Sequence, residues 1–307
     1  MDKTKIICVV GATASGKTSL GVEIAKAVGG EIISADSMQV YKGMHIATAA
    51  ADKEEQQGIP HHLLEFLDSD KSFSVADFVY LAKKKITEIS SRGNVPVIVG
   101  GTGLFVDSLV KNISFADVEA NEELRSSLDK KTNEELYEEL KRVDSTAAEN
   151  IHPNNRKRVI RAIELYYGGT SKTVQNEISV LGENPYEALY IGINYQDRQV
   201  LYDRINHRVD LMLEKGLVKE AKQSYKSAGK TAKQAIGHKE LQGYFAKNID
   251  FETAIENIKQ STRRYAKRQL TWFRKNENIN WLYADLMEKE ELVNKVVNLS
   301  KDFLADK

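Results

Sequence analysis

A single cysteine, Cys8, cannot build an internal disulfide framework. Its place in an apolar strand marks it as a packing residue, so a reducing compartment is expected. Net charge is missing as well: Lys plus Arg and Asp plus Glu number 44 each. No global field therefore advertises a polyanion, and any nucleic-acid binding has to come from local clusters. No apolar run approaches the ~18 residues needed to span a bilayer, and Met1-Asp2-Lys3 leads straight into a short strand with no secretory h-region. A cytoplasmic protein without membrane contact is the expectation. Internal repeats and low-complexity tracts are absent too. A chain of 307 residues then holds roughly two domains, or one large domain with an insertion.

What is present begins with Gly11-Ala12-Thr13-Ala14-Ser15-Gly16-Lys17-Thr18, which fits G-x-x-x-x-G-K-[ST] at every fixed position. The β-branched run Ile6, Ile7, Val9, Val10 precedes it, and Leu20, Ile24, Ala25 and Val28 follow at helical spacing. Strand, loop and helix together predict a nest of backbone N–H groups that cradles a diphosphate, with Lys17 as a point charge and Thr18 offering a hydroxyl to Mg²⁺. The loop suits a nucleotide such as ATP equally well.

Residues 31–34 read as a second strand that delivers Asp36, Ser37, Met38 and Gln39 to the same sheet edge. A carboxylate there can hold metal-bound water, accept a proton, or cap the next turn. Residues 42–72 are loop-like, long enough to cover a site; adjacent His61 and His62 lack a third ligand at recognisable spacing. Ser74 with Asp77 predicts a capped helix running to Gly93. The apolar strand 95–99 then ends in Gly100-Gly101-Thr102-Gly103, without the metal-holding Asp of an ordinary P-loop nucleotidase. Thr102 puts a hydroxyl near the phosphate edge or serves as a turn residue.

Between residues 117 and 149 eleven acids face five bases, with leucines at helical spacing, which predicts a helical insertion over 117–187 within a core of 1–116 and 188–307. The sign reverses at Arg156-Lys157-Arg158-Val159-Ile160-Arg161, a basic helix start that suits either a solvated face or phosphate contacts. Core strand character returns at 188–195. Asp197 caps a helix to Gly216 on which Arg204 and Arg208, four apart, can face a diphosphate or pair with Asp203 and Asp210. Residues 230–239, including Gly237, His238 and Lys239, form a basic loop. From Lys259 to Lys275 seven cations (Lys259, Arg263, Arg264, Lys267, Arg268, Arg274, Lys275) occur with no acid, interleaved with Tyr265, Trp272 and Phe273. That composition favours nucleic-acid contact over a merely solvated helix. Residues 279–283 read as a last strand and 286–304 as a closing helix. The fold class is α/β, a P-loop NTPase-like core with a parallel sheet flanked by helices, plus a helical insertion domain.

The P-loop, Ser34-Ala35-Asp36-Ser37-Met38-Gln39-Val40-Tyr41-Lys42-Gly43-Met44, Val99-Gly100-Gly101-Thr102-Gly103, Ile151-His152-Pro153-Asn154 and Lys267-Arg268-Gln269-Leu270-Thr271-Trp272-Phe273-Arg274 together resemble the bacterial tRNA dimethylallyltransferases over nearly the whole chain. The eukaryotic relatives' zinc finger cannot be built from one cysteine. The resemblance implies transfer of a dimethylallyl group from dimethylallyl diphosphate to N6 of adenine 37 in the tRNA anticodon loop. It implies Asp36 as base, Thr102 near the reacting atoms, and Lys17 with Arg208, or Arg204, on the diphosphate. Mg²⁺ would be held through Thr18. It further implies tRNA contacts at Asp36 to Gln39, at Arg125, at Lys157, Arg158, Val159, Ile160 and Arg161, at Gly237, His238 and Lys239, and at Lys267, Arg268, Trp272 and Arg274. Gln39 would pair with the edge of the flipped adenine, and the protein would work as a monomer. The rival readings are a small-molecule kinase, which leaves the acid-free helix unexplained, a nucleotide-gated RNA-binding module, which gives Asp36 no task, and prenylation of free AMP.

Overall fold

The computed structural model describes residues 3–115, 118, 121–180 and 184–306. Its strands are β1 (Thr4–Gly11), β2 (Gly30–Ser34), β3 (His61–His62), β4 (Val95–Gly100), β5 (Tyr186–Asn194) and β6 (Ile279–Tyr283). They form one sheet in the order β3-β2-β4-β1-β5-β6, and every pairing is parallel. Parallel strands covered on both faces need continuous apolar runs, and β1 obeys: Ile6 to Val10 are all fully buried. Because all six strands point the same way, β1, β2 and β4 deliver the P-loop, Asp36 and Thr102 to a single edge.

The helices are α1 (Lys17–Val28), the one-turn α2 (His45–Thr48) and α3 (Lys53–Gln56), α4 (Val75–Ser91), α5 (Gly103–Val110), α6 (Glu122–Leu128), α7 (Asn133–Val143), α8 (Ser145–Asn150), α9 (Arg156–Tyr167), α10 (Lys172–Val180), α11 (Arg198–Glu214), α12 (Leu217–Ser227), α13 (His238–Phe245), α14 (Phe251–Phe273) and α15 (Lys289–Ala305). On one side of the sheet Leu20 and Ile24 of α1 and Leu292 and Val296 of α15 join a core with Ile7, Val9 and Val97. Elsewhere Phe78 of α4 stacks on Phe105 of α5 with ring centroids 4.4 Å apart. Burying each such side chain contributes about 1.5–3 kcal/mol. The Ser74–Asp77 capping box starts α4 as the spacing predicts.

The chain divides into two compact units, residues 1–110 with 185–307, and residues 111–184. The sequence boundaries of 117 and 187 differ. Residue 117 lies outside the described residues, and the core resumes before 187 because Thr4 N–H donates to the Pro185 carbonyl at 2.9 Å and Thr4 registers with Tyr186. The smaller unit has its own core, in which Leu128, Leu136, Leu140, Val159 and Ile163 are buried.

Residues 42–72 are more structured than expected. A capping box between Asp52 and Glu55 nucleates α3, and β3 adds two residues to the sheet edge. His62 is taken up there by structure: its ring bonds Glu31 at 2.6 Å, and Glu31 also accepts from Arg92 and Asn94. Burial pushes the Glu31 carboxyl up, but those bonds outweigh it and hold the pKa at about 2. The 230–239 loop contains a 3₁₀ turn (Ala232–Gln234) and the start of α13, and the last helix begins at Lys289, after an exposed Leu286. No helix among the described residues is long and apolar enough to cross a membrane.

Candidate active site

The P-loop leaves β1 at Gly11, whose φ is +145° and whose missing Cβ would stand 2.4 Å from the Ile193 carbonyl oxygen of β5. Only glycine passes there. Gly16 caps α1 in a left-handed conformation, φ 93°. Lys17 folds back so that Nζ donates to the Ala12 carbonyl at 2.5 Å. From α14, Gln269 braces the loop: its Oε1 accepts from Thr13 N–H at 2.8 Å, and its Nε2 donates to the Gly101 carbonyl at 2.9 Å. The Gly100-Gly101 end of β4 is glycine for packing reasons, since a Cβ on Gly100 would meet the Ala35 carbonyl oxygen at 2.2 Å and one on Gly101 would meet Gln269 Nε2 at 2.1 Å.

Asp36 follows β2. Its Oδ1 accepts from Met38 N–H at 2.9 Å and Gln39 N–H at 3.4 Å, so the turn-capping role is realised with one oxygen. The residue nevertheless lines one cavity with Lys17 and Arg208 and another with Arg208, so capping and chemistry are compatible. Thr102 shows the turn role: its hydroxyl accepts from Ser37 N–H at 3.1 Å, its carbonyl caps α5, and it lines none of the cavities around Lys17 and Arg208. Burial, with Asp36 adding to it, pushes the nearby Tyr265 hydroxyl above its usual range.

The two arginines of α11 both line the cavity along the P-loop but differ in burial. Arg204 is exposed, lies 5.5 Å from the Tyr195 ring centroid, and donates from Nε to the Ala14 carbonyl at 3.1 Å. Arg208 turns inward and lines three cavities. The first, of about 60 Å³, carries Lys17, Thr18 and Asp36; the second, of about 390 Å³, runs along the P-loop; the third, of about 220 Å³, has Asp36, Ser37 and Met38 beside Ile236, Ile258 and Tyr265. Neither arginine pairs with Asp203 or Asp210; Asp210 pairs with Lys259 at 2.6 Å. Burial, then the Arg208 charge, push the Lys17 ammonium down to about 7 against the opposing pull of Asp36. Burial also lowers Arg208, with Asp36 and Glu55 opposing.

A cation at this site would have few protein ligands. Among the described residues no group of three or more His, Cys, Asp or Glu side chains could hold a metal. The Thr18 hydroxyl lines two of the cavities, and the buried Ser15 Oγ in the same loop has no protein partner. That donor set fits Mg²⁺, which keeps several waters and binds through substrate phosphates plus one or two protein oxygens.

The residues implied for RNA contact fall into two groups. Lys157 and Arg158 on α9, Lys239 on α13, and Lys267, Arg268 and Arg274 on α14 and its cap are exposed. Others are committed to the protein and correct the expectation. Val159 and Ile160 are buried in the core of the smaller unit, where Arg125 and Arg161 both pair with the buried Glu164. Gly237 and His238 are buried, the latter bonded to Glu220 at 2.9 Å. Trp272 covers Gly103 and donates from Nε1 to Asp107 at 2.9 Å, so it joins α14 to α5. Gln39 spends its side-chain amide inside the protein, Nε2 donating to the Thr48 and Ala49 carbonyls and Oε1 accepting from Ser34 Oγ at 2.9 Å. Within the acid-free stretch, Lys259 and Arg263 pair with Asp210 and Glu256, leaving Arg264, Lys267, Arg268, Arg274 and Lys275 as its outward cations.

Sequence reasoning missed Gln269, Tyr265 and the Thr48 and Ala49 carbonyls. Tyr265 and Gln269 stand four apart on one face of α14, a neutral polar pair that counting charges on this helix passes over. The carbonyl positions carry no side-chain signal.

A family model described as IPP transferase matches residues 39–276. The tRNA dimethylallyltransferase of Acetivibrio thermocellus is 47% identical over 308 residues, covering 98% of this chain and 97% of that relative. That of Thermoanaerobacter pseudethanolicus is 46% identical over 312 residues, covering 99% and 98%. Among solved structures, the full-length tRNA isopentenylpyrophosphate transferase of Bacillus halodurans superposes with a TM-score of 0.74 at 43% identity, covering 98% of this chain and 97% of that one. A eukaryotic dimethylallyltransferase acting on tRNA superposes with a TM-score of 0.85 at 28% identity, covering 98% of this chain and 80% of that one.

The low Lys17 pKa predicts a proton-linked phosphate site. Above pH 7 the empty site loses the Lys17 charge, and a bound diphosphate restores it. Calorimetry of an alkyl diphosphate at about pH 8, in buffers of different ionisation enthalpy, should therefore show uptake of close to one proton, with affinity falling as pH rises. In Arg208→Ala, which removes one cause of the shift, the uptake should move to higher pH.

Proposed function

We infer that the chain, which belongs to the IPP transferase family, is a prenyltransferase that transfers a dimethylallyl group to tRNA. The observation that carries the local mechanism is that Lys17, Arg208 and Asp36 line one cavity at the end of the P-loop. Two cations face the place where negative charge would develop, and a carboxylate stands where a proton would depart. We take dimethylallyl diphosphate as donor and the exocyclic amine of adenine 37 in the anticodon loop as acceptor.

In this reading the P-loop N–H groups, Lys17 and Arg208 bind the diphosphate in the cavity along the loop, and the less polar third cavity receives the acceptor base. N6 attacks C1 of the dimethylallyl group as the C1–O bond breaks, and the bonding pair leaves on the diphosphate oxygen. The cations stabilise that charge in a partly desolvated site, where such contacts are stronger than in water. The amine is a weak nucleophile because its lone pair is delocalised into the ring, so Asp36 takes the N6 proton through the oxygen that is not engaged in the turn. Thr102 holds Ser37 and with it the turn that aims Asp36. Mg²⁺, held through Thr18, would supply further neutralisation of the diphosphate. The products are N6-dimethylallyl adenine in the RNA, diphosphate, and the proton carried by Asp36.

The base has to leave the anticodon-loop stack, at a cost of a few kcal/mol. With the Gln39 amide engaged internally, the edge of the base is left to Asp36, Ser37 and the third cavity. The exposed cations of α14 and α9 and Lys239 would contact the RNA backbone. The tRNA substrate supports the cytoplasm as its place of work.

Asp36→Asn should lower turnover by about 10²-fold or more and leave tRNA affinity within a few-fold; turnover close to wild type would remove the base from the mechanism. Arg264→Ala with Arg268→Ala should weaken tRNA binding and reduce the slope of log affinity against log salt by about two, with diphosphate affinity unchanged. An unaltered slope would make this face a solvated surface.

A further inference from the structure

Helix α2 is a single turn above the site, and a short helix leaves its first N–H groups without partners. The N-cap residue, Met44, has no oxygen to offer them. Glu220 of α12 supplies it from 170 residues away in sequence or more: Oε2 accepts from Ile46 N–H at 2.7 Å and Oε1 from Ala47 N–H at 2.9 Å. Its Oε1 also bonds His238 Nε2 at 2.9 Å, and the two side chains are only 9% and 4% exposed. Burial pushes the Glu220 carboxyl up, yet the bonds from His238, Ala47 and Ile46 outweigh it and hold the group below its usual range. A buried carboxylate is costly to keep, and this one is fully engaged on the backbone of one short segment.

The other end of that segment reaches the reacting groups. The Thr48 and Ala49 carbonyls each accept from Gln39 Nε2 at 3.2 Å, and Thr48 also accepts from Arg208 Nη2 at 3.5 Å. Gln39 in turn is the residue whose N–H, with that of Met38, meets Asp36 Oδ1. One chain of contacts therefore runs from Glu220 through α2 to Arg208 on the leaving-group side and to Gln39 and Asp36 on the acceptor side.

We propose that Glu220 is a positioning residue for the transfer step: it caps α2 from outside the helix, so that the Thr48 and Ala49 carbonyls hold Arg208 and Gln39 in place around the cavity, and His238 orients its carboxylate. This role rests on the transferase reading above. Glu220 touches neither substrate and acts through α2.

The test uses Glu220→Gln in the full chain, which keeps the shape and one accepting oxygen but turns an NH₂ toward a backbone N–H. Hydrogen exchange at Ile46 and Ala47 should accelerate by about tenfold or more with β1 amides unchanged, and kcat should fall by about tenfold with the KM for RNA within twofold. Combining it with Gln39→Ala should be non-additive, the double variant being within about threefold of the slower single one. Glu220→Gln with wild-type kcat, singles that multiply in the double variant, or exchange that rises equally in β1 would each overturn the proposal, the last by making Glu220 a general stability residue. Affinity for inorganic diphosphate, read without turnover, keeps the two readings apart. If the unaltered protein transfers no prenyl group, the function fails; a diphosphate affinity in Glu220→Gln equal to wild type would then also deny any hold on Arg208.

Discussion

Two cations are buried in one small cavity, and the cost of keeping their charge from water is the constraint on which the site depends. Lys17 and Arg208 are brought together by a P-loop and by a helix from the far end of the same unit, and they share two cavities, one lined by Asp36 and the other by Glu55. The cost of the empty arrangement shows in Lys17, which burial and then the Arg208 charge push down, and in Arg208, which burial alone lowers. An anion carrying two or more charges relieves it, so the free energy spent in holding the cations apart from water returns when a diphosphate enters. The site is thus built to favour the leaving group, and the carboxylate beside it to take what the nucleophile releases.

Holding that arrangement requires very close backbone approaches. Gly11 passes the β5 backbone, Gly100 passes Ala35, and Gly101 lies against Gln269, each at a distance a Cβ would violate. Gln269 then ties α14 to both the P-loop and the end of β4, and Trp272 ties α14 to α5. The long basic helix is therefore part of the scaffold on one face while its other face carries Arg264, Lys267 and Arg268 outward. A helix that both braces the phosphate loop and presents cations to a nucleic acid places catalysis and polyanion binding on one rigid element.

The fold was largely legible because its signals are local. The strands came through as continuous apolar runs, the P-loop as a fixed spacing, and α4 as a capping box. The charge reversal near residue 150 was legible as composition, but the boundaries of the smaller unit moved by several residues because Pro185 and Tyr186 pair with β1, a contact no local pattern announces. In the site, Lys17 was readable from the P-loop spacing, and Asp36 and Thr102 as residues just beyond strand ends. Spacing left Arg204 and Arg208 equivalent; in the fold both line the cavity along the P-loop, Arg204 exposed against Tyr195 and Arg208 turned inward to line two further cavities. The basic segments overstated the free charge, since Arg125, Arg161, Lys259 and Arg263 each find a carboxylate. Gln39 and His238 looked available for recognition and are spent on internal bonds. Such pairings join residues far apart in sequence, so only the folded chain reveals them.

The central claim is that this cavity transfers a five-carbon group to an adenine in RNA. Its most direct test is a mass spectrum of the nucleosides from tRNA carrying unmodified adenine 37, incubated with the protein, Mg²⁺ and dimethylallyl diphosphate, beside a control with ATP alone. The account predicts a five-carbon adduct on adenosine that depends on the diphosphate donor and is absent with ATP. No adduct with the donor, together with ADP formation when small-molecule acceptors are offered with ATP, would contradict it and move the P-loop to phosphoryl transfer.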